Sequence, residues 1–177
     1  MEEITVVAGI PIPSTSAWFL GVVAIHVAMG LVCVVTGIGA MLSRKGRGRH
    51  SRYGTVYFWF LLGVFVTATE LSIVRWAEDW HLFVLGALSF AAALIARQVL
   101  RQDPTTRSRR QIHVVGMATS YILLLTAFYV DNGKSLPIWK DLPTITYWLA
   151  PAAVGLPLLL YVLLRHPLLR PSQGRRS

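Results

Sequence analysis

One cysteine, Cys33, occurs in 177 residues, so a disulfide framework and a thiolate zinc cluster of the usual spacing are both excluded. Acidic residues are scarce, eight against seventeen Lys and Arg, and charged residues of either sign make up only 14% of the chain. No HExxH pair, nucleophile elbow, phosphate-binding glycine loop or dinucleotide fingerprint occurs. The glycines of "GRGRH" follow no strand and make a flexible turn only. No internal repeat is evident, which argues against a secondary transporter built from paired halves. The N-terminal stretch "MEEITVVAGIPIPSTS" lacks a basic leader, so the first apolar run is expected to stay in the mature protein.

What is abundant is apolar. Hydrophobic residues make up 54% of the chain, and they fall in runs of membrane-spanning length. Five spans are read: Trp18 to Leu42, Gly54 to Arg75, Trp80 to Leu100, Ile112 to Val130 and Ile145 to Leu164, the last interrupted by Pro151 and Pro157. The third has the shortest apolar core, Leu82 to Ala96, so Arg97 and Gln98 must snorkel toward the interface. The expected fold is all-α, a transmembrane bundle of five helices with short connections and antiparallel neighbours. Residues 1–16 form an extracytoplasmic segment, 17–166 the bundle, and 167–177 a basic cytoplasmic tail.

The charge of +9 is distributed by topology and does not call for nucleic acid. Residues 43–54 hold five Lys or Arg, residues 97–110 five more, and the chain from Arg165 another four. The intervening faces hold three, and of the eight acids only Asp103 falls on the basic side. Trp18, Trp76, Trp80, Trp139 and Trp148 gather at the opposite boundary as an aromatic belt. This pattern puts the N-terminus outside and the C-terminus in the cytoplasm, with anionic headgroups against the basic loops.

Glu70 is the one ionisable group between Thr55 and Val74, and a carboxylate there needs compensation. With a rise of about 1.5 Å per residue, it lies about 7–8 Å below the outer boundary and His26 about 12 Å below it. His81 opens the third span at the same side, where Tyr129 and Asp131 close the fourth. His26, Glu70 and His81 are therefore a candidate iron or zinc site with open positions. Haem is the other chemistry these residue types support: a four-helix bundle clamps a b-type haem between histidines on different helices. His26 with His81 would hold an outer haem and His50 with His113 an inner one, with Arg49 and Arg52 on the propionates. The simpler alternatives are hydrogen bonding of a neutral Glu70 to Thr67, Thr69 or Ser72, a structural His26, an interfacial His81, and headgroup contact for His50, His113 and His166.

The stretches "GRGRHSRYGTVYFW", "DWHLFVLGALSFAAALIARQVLR" and "QIHVVGMATSYILLLTAFYVDNG" with "LPTITYWLAP" resemble a bacterial membrane-protein family, domain of unknown function 2306. The residues that carry the resemblance are His50, Gly54, His113, Gly116, Met117, Ser120, Tyr121 and the run Thr126 to Tyr129. Ser51 departs from the family pattern, which often has a basic residue there. The resemblance implies a multi-span protein of the bacterial inner membrane and carries no established activity. Three functions follow from the residues: a redox or metal-dependent membrane protein, a proton-coupled or small-solute carrier, and a structural subunit of a homo-oligomer or larger membrane complex.

Overall fold

The computed structural model describes residues 5–7, 10–12, 16–45, 48–102 and 106–165. Five helices dominate: α1 Ala17–Leu42, α2 Arg49–Val74, α3 Trp76–Gln102, α4 Arg107–Asn132 and α5 Thr144–Arg165. Each is long and apolar enough to cross a membrane, as the helices of a multi-pass membrane protein must be. Large apolar side chains such as Leu31, Val35, Ile73 and Leu160 are more than half exposed on their outer faces, a surface suited to lipid rather than water.

The fold is helical except at the N-terminus, where β1 (Thr5–Val7) pairs antiparallel with β2 (Ile10–Ile12). Thr5, Val6, Val7, Ile10 and Ile12 are β-branched and favour extended backbone. The basic C-terminal tail, His166 and Asp103 lie outside the described residues.

Three helices start well before their apolar runs. α2 starts at Arg49 rather than Gly54, α3 at Trp76 rather than Trp80, and α4 at Arg107 rather than Ile112. Apolar length measures the hydrocarbon core, whereas the backbone keeps its helical hydrogen bonds through the polar interface. A 26-residue helix spans about 39 Å against a hydrocarbon core of about 30 Å. His50 consequently sits in the first turn of α2 and not in the preceding loop. Pro151 and Pro157 are both accommodated inside α5.

Neighbours in sequence pack as neighbours in space: α1 with α2, α2 with α3, α3 with α4, and α4 with α5. Arg75 alone connects α2 to α3, and it pairs with Glu78 and with Asp79 at 3.5 Å. Tyr121 closes the four-helix unit by donating its hydroxyl to the Val34 carbonyl of α1 at 3.2 Å. α5 is fastened through Tyr147, whose hydroxyl donates to the Trp139 carbonyl at 2.9 Å.

Alternation of direction gives the bundle two unlike ends. One carries Trp18, Trp76, Trp80 and Trp148; the other collects the basic residues that close α1 and α3 and open α2 and α4. Between them the core packs Cys33, Tyr57, Phe58, Leu61, Val64 and Ala93. Phe65 stacks on Phe90 at 5.8 Å, and the Arg97 guanidinium lies 4.6 Å over the Phe58 ring. Arg97 thus takes a cation–π contact on α2 in addition to any reach toward the interface.

Candidate functional site

Four histidines fall among the described residues, and the structure brings two of them together. His50 on α2 and His113 on α4 face each other at the arginine end, ring centres 6.4 Å apart and planes 77° from parallel. Both Nδ1 atoms are held. That of His50 lies 2.9 Å from the Ala40 carbonyl of α1, and that of His113 lies 3.1 Å from the Ala96 carbonyl of α3. A carbonyl only accepts, so each Nδ1 carries the proton and donates it. In the neutral ring this fixes Nε2 as the nitrogen with a free lone pair, the tautomer that metal-ligating histidines adopt.

Local chemistry explains each anchor. The last four carbonyls of a helix lack partners within it, and Ala40 is one of these in α1. His50 caps it from the start of α2. Ala96 lies a turn and a half inside α3, where its carbonyl accepts His113 because the two backbones approach closely. Gly116, one turn beyond His113, allows that approach: a Cβ there would lie 2.8 Å from the Ala96 Cβ and 2.9 Å from the Ala92 carbonyl oxygen.

One heptad deeper the same two helices meet again. The Tyr57 hydroxyl is 2.8 Å from Ser120 Oγ, and Ser89 of α3 donates to the Ser120 carbonyl at 2.8 Å. Ser89, Ser120 and Tyr57 are buried, and this hydroxyl layer joins α2, α3 and α4 in the middle of the bundle. Positions 50 and 57 face 113 and 120 with one common register, so the layer sets the rotation that points the histidines at each other. Sequence reasoning missed the layer, although the equal spacing of His50 to Tyr57 and His113 to Ser120 was there to be read. Between the two levels, a Cβ at Gly54 would meet nothing within 4 Å, which leaves open space on the histidine face of α2.

The outer candidates do not converge. Among the described residues no three His, Cys, Asp or Glu side chains lie together as a metal ion would require. His26 Nδ1 lies 2.9 Å from Thr67 Oγ1, whose own proton goes to the Gly63 carbonyl at 2.8 Å. The threonine therefore accepts, and His26 is bonded as a structural residue between α1 and α2. Glu70 is exposed, while Thr67 and Thr69 spend their hydroxyls on carbonyls one turn back and Ser72 donates to Asp79. His81 rests against Trp80 at 6.2 Å and Trp148 of α5 at 5.8 Å. Common depth does not give common direction: His26 points at α2 and His81 at α5. The His26, Glu70 and His81 set and the His26 with His81 pair are thus not assembled here.

Arg49 and Arg52 are exposed, about 100° and 200° around α2 from His50. Neither shares the helix face of His50. No family model matches this sequence, and no solved structure matches the chain.

Proposed function

We propose that this is a small redox-active membrane protein that holds one b-type haem between His50 and His113. The observation that carries the reading is the pairing of two imidazoles from different helices, each with Nδ1–H donated to a carbonyl. Two imidazoles that shared one haem iron would need ring centres about 6 Å apart. The observed 6.4 Å fits that spacing. A bare zinc ion is less well served, because structural zinc takes four protein donors and no third His, Cys, Asp or Glu joins this pair among the described residues. A tetrapyrrole brings four nitrogens of its own.

When bound, b-type haem supplies one-electron transfer. The chain's part is to orient the two imidazoles, hold their tautomers through Ala40 and Ala96, and line the adjoining space at Gly54. The concentration of Lys and Arg at this end supports placing it, with the C-terminus, in the cytoplasm. The resemblance to the bacterial family supports an inner-membrane location.

Protein purified after expression with a haem precursor should be coloured and contain one iron per chain. His50→Ala and His113→Ala should each lose the colour, whereas His26→Ala and His81→Ala should keep it. A colourless, iron-free wild type, or colour that survives His113→Ala, would overturn the proposal.

A further inference from the structure

The His50 anchor has a second occupant. Lys45, in the connection after α1, donates its Nζ to the Met41 carbonyl at 3.1 Å and to the Ala40 carbonyl at 3.4 Å. The Ala40 oxygen is the same atom that receives His50 Nδ1–H at 2.9 Å. Two bonds to one oxygen bound the Lys45 Nζ to His50 Nδ1 separation at about 6 Å. An ammonium therefore stands within about 6 Å of the anchored side of His50.

Among the described residues nothing acidic faces it. The described acids are Glu70, Glu78, Asp79, Asp131 and Asp141, all toward the tryptophan end, and the ion pairs among the described residues are those of Arg75. Other cations nearby are differently engaged or aimed. Arg109 donates to Gln102 at 3.1 Å, and Arg49 and Arg52 turn off the His50 face. An ammonium has three N–H donors, and two carbonyls take two of them. Partial burial also holds the Lys45 ammonium below the ordinary lysine range, a cost that a neighbouring anion would reverse.

We propose that Lys45 is the anion-binding residue of this site and takes a carboxylate of the bound tetrapyrrole. The assignment rests on the haem reading above. It moves the propionate contact from Arg49 and Arg52 to a residue outside α2. A lysine suits the task as a compact charge on a flexible stem, able to keep its carbonyl contacts while it forms one charge-assisted hydrogen bond.

The test compares two ligands. Apoprotein in detergent is titrated with haemin and with haemin dimethyl ester, which keeps the metal and ring but lacks both carboxylates. Lys45→Met should weaken haemin binding by tenfold or more relative to wild type and leave ester binding unchanged. Lys45→Arg should restore haemin binding. An equal loss for both ligands would show that Lys45 only caps α1, and no loss for either would show that the anion goes elsewhere; each overturns the assignment. Wild type that binds neither ligand, or His113→Ala that binds as wild type does, would instead remove the haem reading and this inference with it.

Discussion

Gly116→Ala adds one methyl group and should both loosen the bundle and disturb the site. The new Cβ would lie 2.8 Å from the Ala96 Cβ and 2.9 Å from the Ala92 oxygen. Relaxed carbon contacts need about 3.5–4.0 Å, so α3 and α4 must part by about 0.7 Å or more at this level. Neither obstacle is a flexible side-chain tip, since one is backbone and the other a Cβ. His113 lies one turn below, and its 3.1 Å bond to Ala96 would stretch toward 3.8 Å, beyond a hydrogen bond. Overpacking of this kind costs about 1–3 kcal/mol. The lost interhelical bond adds about 0.6 kcal/mol on the scale measured within membranes. The expected result is a melting temperature several degrees lower in detergent, read by tryptophan fluorescence. Weakened haem retention should accompany it. Gly54→Ala is the control, since its Cβ meets nothing within 4 Å and should not lower the melting temperature. A Gly116→Ala protein as stable as wild type would refute the close approach, and with it the account of how His113 is held.

Other perturbations probe separate links. Tyr57→Phe removes one hydroxyl from the central layer and should cost about 1 kcal/mol, seen as a modest fall in melting temperature, while the pigment remains. Thr67→Val leaves His26 Nδ1–H without its acceptor and should destabilise by about 1–3 kcal/mol without changing the visible spectrum. Orientation can be read with an impermeant maleimide on intact cells. Lys134→Cys should be labelled and Arg101→Cys should not, and the native Cys33 should stay silent because it is fully buried.

Apolar runs made the five helices legible because a hydrocarbon core about 30 Å thick demands them. Their ends were not legible from the same signal. Residues 49–53, 76–79 and 107–111 are polar enough to leave the apolar run yet remain helical, so every missed boundary fell at an interface. The site was half readable. Depth put His50 with His113 and also put His26 with Glu70 and His81, but depth is one coordinate of three. Rotation about the helix separates the two sets. Seven residues, nearly two full turns, keep His50 above Tyr57 and His113 above Ser120, so a contact at one level fixes the other. No such second contact ties Glu70 to His26. Lys45 was hidden for a different reason, since a lysine in a basic loop looks like any other topology signal until its carbonyl partners are seen.

The two halves of the histidine site are built alike. In each, a helix runs to the arginine end, the chain reverses, and a histidine near the start of the returning helix bonds a carbonyl of the one before: His50 to Ala40, His113 to Ala96. α2 and α4 run the same way and present matching positions to a shared axis. The four-helix unit thus carries the same histidine-to-carbonyl bond twice, once in each helical hairpin, with α5 packed outside on α4.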